Sequence, residues 1–445
     1  MSAAEHTQRL EVVEICAGAG GQSLGLHRAG FTHRLAVELD VQAAHTLEQN
    51  LRRVLKEDGA DVPDELVAVG DVANPATWDP ERYKENLALL AGGVPCPPFS
   101  IAGKQLGTGD ERDLFAWAIE LCGQMRPKAL LLENVRGLSA KRFSGYRQAV
   151  LDKLHDLGYV AFWKVLQASD FGVPQLRPRF VLVALLPQYA EYFEWPTPSP
   201  ERLMVGDALS DLMGENGWDP QEVTEWVAGA RGIAPTIVGG SKKHGGADLG
   251  PTRAKRAWAE LGVDAMGVSN EAPEAGFTPR PGATGPRLTT KMVARIQGWA
   301  GEFSNWEFLG RKTSVYRQIG NAFPPPVAKA VGDSIRNALL KKGERRPLIE
   351  TGNAVHDPVY KVLRDNATRP LTVDQIIARL EKAGVSMEEP EVERHINHLG
   401  HDFEMVKTER GSGELAYTLG QFNAFVGQED HQRHDLFMQH RAKIS

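Results

Sequence analysis

Short apolar runs and amphipathic stretches alternate through roughly the first 185 residues. Val12-Val13-Glu14-Ile15 reads as a buried strand, followed by a helix with apolar positions Leu24, Leu26 and Ala29. Arg34-Leu35-Ala36-Val37, Leu66-Val67-Ala68-Val69 and Ala129-Leu130-Leu131-Leu132 repeat the strand signal, and each gives way to Gly, Asp, Glu or Asn. Runs this apolar suit strands covered on both faces, so residues 1–186 are expected to form an α/β domain around a doubly wound sheet. Between residues 187 and 285 the alternation stops, and Trp195-Pro196-Thr197-Pro198-Ser199-Pro200 typifies an irregular stretch rich in Gly and Pro. Residues 286–342, with a helix over 327–340, are expected to return to the first domain. Lys341-Lys342-Gly343-Glu344-Arg345-Arg346 then reads as a linker into a last module, residues 343–445. In that module Thr372 is placed to cap an amphipathic helix ending near Leu380, and a second helix runs from Glu391 to Leu399. A hairpin turns at Gly411-Ser412-Gly413. The linker predicts that few contacts cross the boundary, so a chain ending near Lys342 is expected to fold.

Composition sharpens this picture only in places. At 445 residues the chain exceeds one core, and two or three domains are expected. Three cysteines point to a reducing compartment without a disulfide framework. No apolar run is long enough to cross a membrane, and Met1-Ser2-Ala3-Ala4-Glu5 lacks a leader pattern, so a cytoplasmic protein is expected. The net charge of -6 does not advertise nucleic-acid binding. Yet Lys242, Lys243, Arg253, Lys255 and Arg256 crowd one glycine-flanked stretch, against the single acid Asp248.

The candidate chemistry sits at the ends of the apolar runs. Ile15 breaks into Cys16-Ala17-Gly18-Ala19-Gly20-Gly21, where a ligand could approach the backbone beside a helix N-terminus. Position 23 is Ser, so the spacing is not that of the dinucleotide fingerprint. Glu38, about twenty residues on, is placed for a ribose diol, and Asp71 ends a third strand. Together these ends describe a nucleoside-shaped cleft. Cys96 lies between Pro95 and Pro97, and prolines fix where the sulfur points, as a nucleophile requires. Glu133 and Asn134 end an apolar strand, where a buried carboxyl could serve as a general acid. Arg177 and Arg179 alternate along an extended segment that begins at Gln175. Arg317-Gln318-Ile319-Gly320-Asn321-Ala322-Phe323-Pro324 forms a loop far along the chain.

Taken in order, these elements resemble the DNA cytosine-5 methyltransferases of bacterial restriction–modification systems. The likeness covers roughly residues 10–185 and 286–340 and includes Pro286-Arg287-Leu288-Thr289-Thr290. Two positions depart from the common pattern: Pro97 where many relatives have Gln, and Cys16 where Phe is usual. The resemblance implies a SAM-dependent methyltransferase fold, a Rossmann-like mixed sheet, with S-adenosylmethionine as cofactor. It implies that Ala17, Gly18, Ala19, Gly20 and Gly21 cradle the methionine end, that Glu38 holds the ribose, and that Asp71 holds the adenine amino group. Leu39, Val72 and Pro95 would wall the adenine, Leu114 would close the pocket, and Asn321 and Ala322 would complete it. Cys96 would add to C6 of a flipped-out cytosine, with Glu133 at N3. Arg177 and Arg179 would hold the carbonyl oxygen and a nearby phosphate.

Further expectations concern partners. Double-stranded DNA is the implied substrate, a cognate restriction endonuclease the implied functional partner, and a monomer on the nucleoid the expected state. Residues 187–285 would recognise the target, with Gln175, Lys242, Lys243, Arg253, Lys255, Arg256, Arg280 and Arg287 as DNA contacts. The last module resembles a winged helix. Met387-Glu388-Glu389-Pro390-Glu391 would repel phosphate, however, and favours a structural or protein-contact role. His395, His398 and His401 suit a half-solvated helix face better than a metal site, and no metal is expected. A tRNA cytosine-5 methyltransferase is the alternative within the same chemistry, but its Cys-Phe-Thr tripeptide is absent. A non-catalytic DNA-binding regulator is the other, disfavoured by the intact Cys96, Glu133, Arg177 and Arg179.

Overall fold

The computed structural model describes residues 10–95, 113–239, 247–347, 357–411 and 413–422. Its first part is built on β1 (Leu10–Ile15), α1 (Gly21–Arg28), β2 (Phe31–Glu38), α2 (Val41–Glu57), β3 (Val67–Val69) and β4 (Leu89–Gly92). It continues through α3 (Asp113–Met125), β5 (Ala129–Val135), α4 (Ser144–Asp156), β6 (Val160–Gln167), β7 (Gln175–Leu176) and β8 (Pro178–Leu185). All of these strands except β7 form one sheet in the order β3-β2-β1-β4-β5-β8-β6. Strands β1 to β5 pair in parallel, whereas β8 runs antiparallel to β5 and β6, so the sheet is mixed as the resemblance implied. Successive side chains feed opposite cores: Leu130 and Leu132 join one cluster, Ala129 and Leu131 the other. The order reverses between β1 and β4, and the loops leaving these two strands flank the crevice at that switch point.

The middle of the chain forms α5 (Pro187–Ala190), α6 (Val205–Met213), α7 (Pro220–Gly229), β9 (Ala234–Pro235) and α8 (Thr252–Glu260). It is followed by α9 (Thr290–Gln297), α10 (Lys312–Asn321) and α11 (Pro325–Leu339). Trp226 and Trp258 share a core with Leu47 and Leu51 of α2 and with Met292, Ile296 and Tyr316, so this region packs directly on the sheet domain. Helix α11 begins at Pro325, where a missing N–H costs nothing. It lies along α1, and Gly25 leaves room for Ala328.

The last part contains α12 (Pro358–Arg364), β10 (Leu371–Thr372), α13 (Val373–Lys382), α14 (Glu389–Asp402), β11 (Phe403–Glu409) and β12 (Leu415–Phe422). Thr372 caps α13 as expected, accepting from Gln375 N while Gln375 accepts from Thr372 N. The expectation of few contacts across the linker fails. Tyr360, Leu363, Leu399, Phe403 and Phe422 share one apolar cluster with Phe115, Tyr146 and Leu154. Ser144 Oγ donates to Asp357 at 3.0 Å, the Tyr360 hydroxyl donates to Asp152 at 3.0 Å, and Arg364 pairs with the same Asp152. Linker composition reports on the linker alone; it carries no information about apolar faces that meet from more than 200 residues apart. Among the described residues no helix is long and apolar enough to cross a membrane.

Candidate active site

The turn after β1 is left-handed at Gly18 (φ 58°) and Gly20 (φ 95°), a conformation that costs glycine nothing. Gly18 N donates to Glu38 Oε2 at 2.7 Å, and Asp40 N donates to Glu38 Oε1 at 2.8 Å. Burial pushes the Glu38 carboxyl above its ordinary value, against the pull of those two N–H groups. A Cβ on Gly20 would run into the Trp306 ring, whose Nε1 donates to Ala19 O at 2.9 Å. A Cβ on Gly21 would strike the carbonyl of Phe323 and come within 3.0 Å of Ala322 Cβ. The end of α10 and the residues after it, 321–323, therefore close on this turn, and the expected loop over 317–321 is the last part of that helix. Asn321 is exposed and lies against Gly239.

Across the crevice, Leu39 (45 % exposed) and Val69 (43 % exposed) present apolar surface at the sheet edge, and Val72 is buried. Asp71 accepts from Ala73 N at 3.0 Å, so it also closes the turn beyond β3. Leu114 packs at the start of α3 against the main core, and Pro95 is exposed. An open glycine turn, a strand-end carboxylate and exposed apolar side chains fit the amino-acid, ribose and base portions of S-adenosylmethionine. Among the described residues, no atom beyond Gly18 and its chain neighbours lies within 4 Å of where a Gly18 Cβ would stand.

A second group of residues lies past β4 and β5. Asn134 Nδ2 donates to Val94 O at 3.1 Å and so anchors the segment that runs into Pro95. Glu133 Oε2 lies 3.5 Å from where a Gly93 Cβ would stand. The Glu133 side chain is nearly buried, and Arg179 Nε sits 2.7 Å from its Oε1. Burial raises the Glu133 carboxyl, with Arg179 and then Arg177 opposing the rise. Cys96 itself lies outside the described residues, as do Lys242 and Lys243.

Two expected contacts, Arg177 and Gln175, are corrected. Arg177 is 1 % exposed and donates to the carbonyls of Ile237 (2.6 Å), Gly320 (2.7 Å) and Ala322 (3.1 Å). Through Nη1 and Nη2 it staples distant segments together, and burial leaves it almost no surface to offer a cytosine or phosphate. Gln175 is fully buried: its Nε2 donates to Gln297 Oε1 (2.7 Å) and Ile296 O (3.2 Å), and its Oε1 accepts from Ile237 N (2.9 Å). Its polar atoms are all taken up inside the fold, with no surface left to meet DNA. Arg287 Nε lies 3.0 Å from buried Asp264, which Arg280 also pairs with, so Arg287 is bound into an ion-pair network. Lys255 bonds Asp248 at 2.8 Å, while Arg253 and Arg256 remain exposed on α8. Sequence reading named Asn134 without a role of its own and missed Trp306 and Gln297, whose Nε2 donates to Ala322 O at 2.7 Å. Asn134 carried a local signal beside Glu133; Trp306 and Gln297 carried none.

The sequence profile of the C-5 cytosine-specific DNA methylases matches residues 10–337. The type II methyltransferase M.NaeI of Lentzea aerocolonigenes is 59% identical over 440 residues, covering 98% of this chain and 100% of its own length. M.NgoMIV of Neisseria gonorrhoeae is 47% identical, covering 74% of this chain and 98% of its own length. M.Eco47II of Escherichia coli is 34% identical over 75% of this chain and 80% of its own length. The chain belongs to the C-5 cytosine-specific DNA methylases of the bacterial restriction–modification type, enzymes that use S-adenosylmethionine to methylate cytosine in DNA.

Proposed function

We propose that Cys96 is the nucleophile and Glu133 the general acid for a cytosine flipped out of double-stranded DNA. The Cys96 thiolate adds to C6 and breaks the 5,6 double bond, while Glu133 gives its proton to N3, so that C5 becomes an enamine carbon. When bound, S-adenosylmethionine supplies the electrophilic methyl group that C5 takes up. A base then removes the C5 proton, the double bond re-forms, the thiolate leaves, and the N3 proton returns to Glu133. Arg179 holds the Glu133 carboxyl in place and is suited to meet the cytosine carbonyl oxygen. The observation that carries this reading is the buried Glu133–Arg179 pair at 2.7 Å, beside the segment that leads into Cys96.

Residues 17–21, Glu38, Asp71 and the loop at 321–322 form the cofactor cleft in this reading, with Leu39, Val72, Pro95 and Leu114 as its apolar walls. Residues 187–285 recognise the target, and Lys242, Lys243, Arg253 and Arg256 supply phosphate and base contacts. The protein acts as a monomer in the bacterial cytoplasm and protects the host DNA from a cognate restriction endonuclease. Cys96→Ser is expected to abolish methyl transfer while leaving DNA affinity nearly unchanged. DNA carrying 5-fluorocytosine, whose fluorine cannot leave as a cation, should trap a covalent adduct with the parent enzyme. Turnover by Cys96→Ser, or no adduct on DNA that the parent methylates, would remove Cys96 from the mechanism.

A further inference from the structure

One guanidinium joins the turns that follow β5 to a ring stack that reaches the strand carrying Arg179. Arg147 of α4 is buried, and its Nη1 donates to the carbonyls of Leu138 (2.6 Å) and Ala140 (2.8 Å), in the turns that follow β5. Its guanidinium carbon lies 4.9 Å from the centre of the Trp163 ring on β6. Trp163 in turn stacks on Phe180 of β8, with centroids 5.2 Å apart and planes 24° from parallel. Phe180 stands opposite Asn134 in the β5–β8 ladder and directly follows Arg179. Leu132 and Phe180 belong to the cluster on this face of the sheet, whereas Leu131 and Val181 belong to the other. By strand alternation, Arg147 therefore supports the Glu133–Arg179 pair from the opposite side of the sheet.

The outer side of α4 is held by the C-terminal module. Ser144 bonds Asp357, Asp152 takes Tyr360 and Arg364, and the Tyr146 ring lies 5.2 Å from that of Phe422. A Cβ on Gly145 would collide with Leu399, so the module sits directly on the helix backbone. Asp357 also acts on Arg147 itself. Burial pulls that guanidinium down to about 10, and the field of the Asp357 carboxylate opposes the fall.

We propose that Arg147 is a positioning residue for the Glu133–Arg179 pair, and that the C-terminal module, by fixing α4, acts on methyl transfer through it. The proposal rests on the roles given above to Glu133 and Arg179. The module's work is then to keep the acid rigid rather than to grip DNA, in keeping with its acidic Glu388, Glu389 and Glu391.

The test compares full-length Arg147→Met, Arg147→Lys and Asp357→Asn with the parent. It measures single-turnover transfer from tritium-labelled S-adenosylmethionine to an unmethylated plasmid that the parent modifies, together with both affinities and the melting temperature. Arg147→Met is expected to slow transfer about 10- to 100-fold with both affinities within about threefold of the parent. It should also raise the pH at which the rate declines, because a looser Arg179 lowers the Glu133 carboxyl less. Arg147→Lys, which keeps the charge, should recover much of the rate. Asp357→Asn should slow transfer about three- to tenfold, again without loss of affinity. A folded Arg147→Met with the parental rate and pH profile overturns the proposal. So does a parallel fall of rate and both affinities, the mark of general loosening. If Arg147→Met is insoluble, Asp357→Asn decides on the same criteria. Glu133→Gln runs alongside: a parental rate there overturns the role of Glu133 itself, whereas a lost rate there with a parental Arg147→Met overturns only the positioning.

Discussion

Arg177 and Arg179 look equivalent along the chain, two cations at alternating positions, yet the fold gives them different work. Arg179 reaches Glu133 diagonally across the β5–β8 ladder, while Arg177 is enclosed by carbonyls that lie 60, 143 and 145 residues away. Local pattern shows that two arginines share a segment; it cannot show which one the distant loops will cover. Glu133 was legible because a carboxylate at the end of an apolar strand is a local event, and burial then sets its acidity. Its carboxyl is raised from 4.5, so the protonated fraction that can serve N3 falls only as the pH climbs past that raised value. The single-turnover rate should therefore decline toward alkaline pH. Glu133→Gln should lose that decline and run slower by about 10²- to 10⁴-fold, as rate–pH profiles of the two proteins will show. Gln175 makes the complementary case. If it is scaffold, Gln175→Leu leaves Ile237 N and Gln297 without their partner and costs about 1–3 kcal/mol of stability in denaturant titrations. The salt dependence of DNA binding should stay parental, whereas a lost phosphate contact would flatten its slope by about one unit.

At the scale of elements, strands and their end residues could be read because both are local. The apolar run fixes the strand, and the polar residue that ends it marks the rim of the crevice. What closes on those ends could not be read. Trp306 lies in no periodic stretch, yet its ring fills the space that a Gly20 side chain would need, and its Nε1 holds Ala19. The glycine turn is thus shaped by two requirements, a left-handed φ and a tryptophan against its back. Gly20→Ala should violate both and destabilise the protein by about 1–3 kcal/mol. It should also weaken S-adenosylmethionine binding in calorimetry, since the turn's N–H groups would be displaced. Trp306→Leu placed on top of Gly20→Ala makes room for the new methyl group and should restore part of the lost stability. Strict additivity of the two changes in thermal melts would mean that the ring does not constrain the turn.

The whole molecule departs furthest from what the sequence led one to expect. The family profile ends at residue 337, and a polar linker follows, so the last hundred residues look dispensable. The helices and hairpin of that module could be read from their periodicity and the Thr372 cap. Its attachment could not, because Tyr146 of α4 and Phe422 of β12 meet from positions far apart along the chain. Leu399 and Phe403 lie against Gly145, and Tyr360 and Phe422 lie in one cluster with Phe115 and Tyr146. Ending the chain at Lys342 would uncover this face of α3 and α4 in one step. Each large side chain exposed loses about 1.5–3 kcal/mol of burial, so baring even three costs a sizeable part of a domain's usual stability. Asp152 and Ser144 would lose their partners in the module as well. The truncated protein is therefore expected to aggregate on expression or to melt well below the parent, although every residue of the cofactor cleft and the Glu133–Arg179 pair is still present. Thermal melting and light scattering of the two chains decide the matter. A truncated enzyme that is soluble, melts with the parent and methylates at the parental rate would show that the shared cluster contributes little. It would also mean that the linker, after all, marks a boundary between independent folding units.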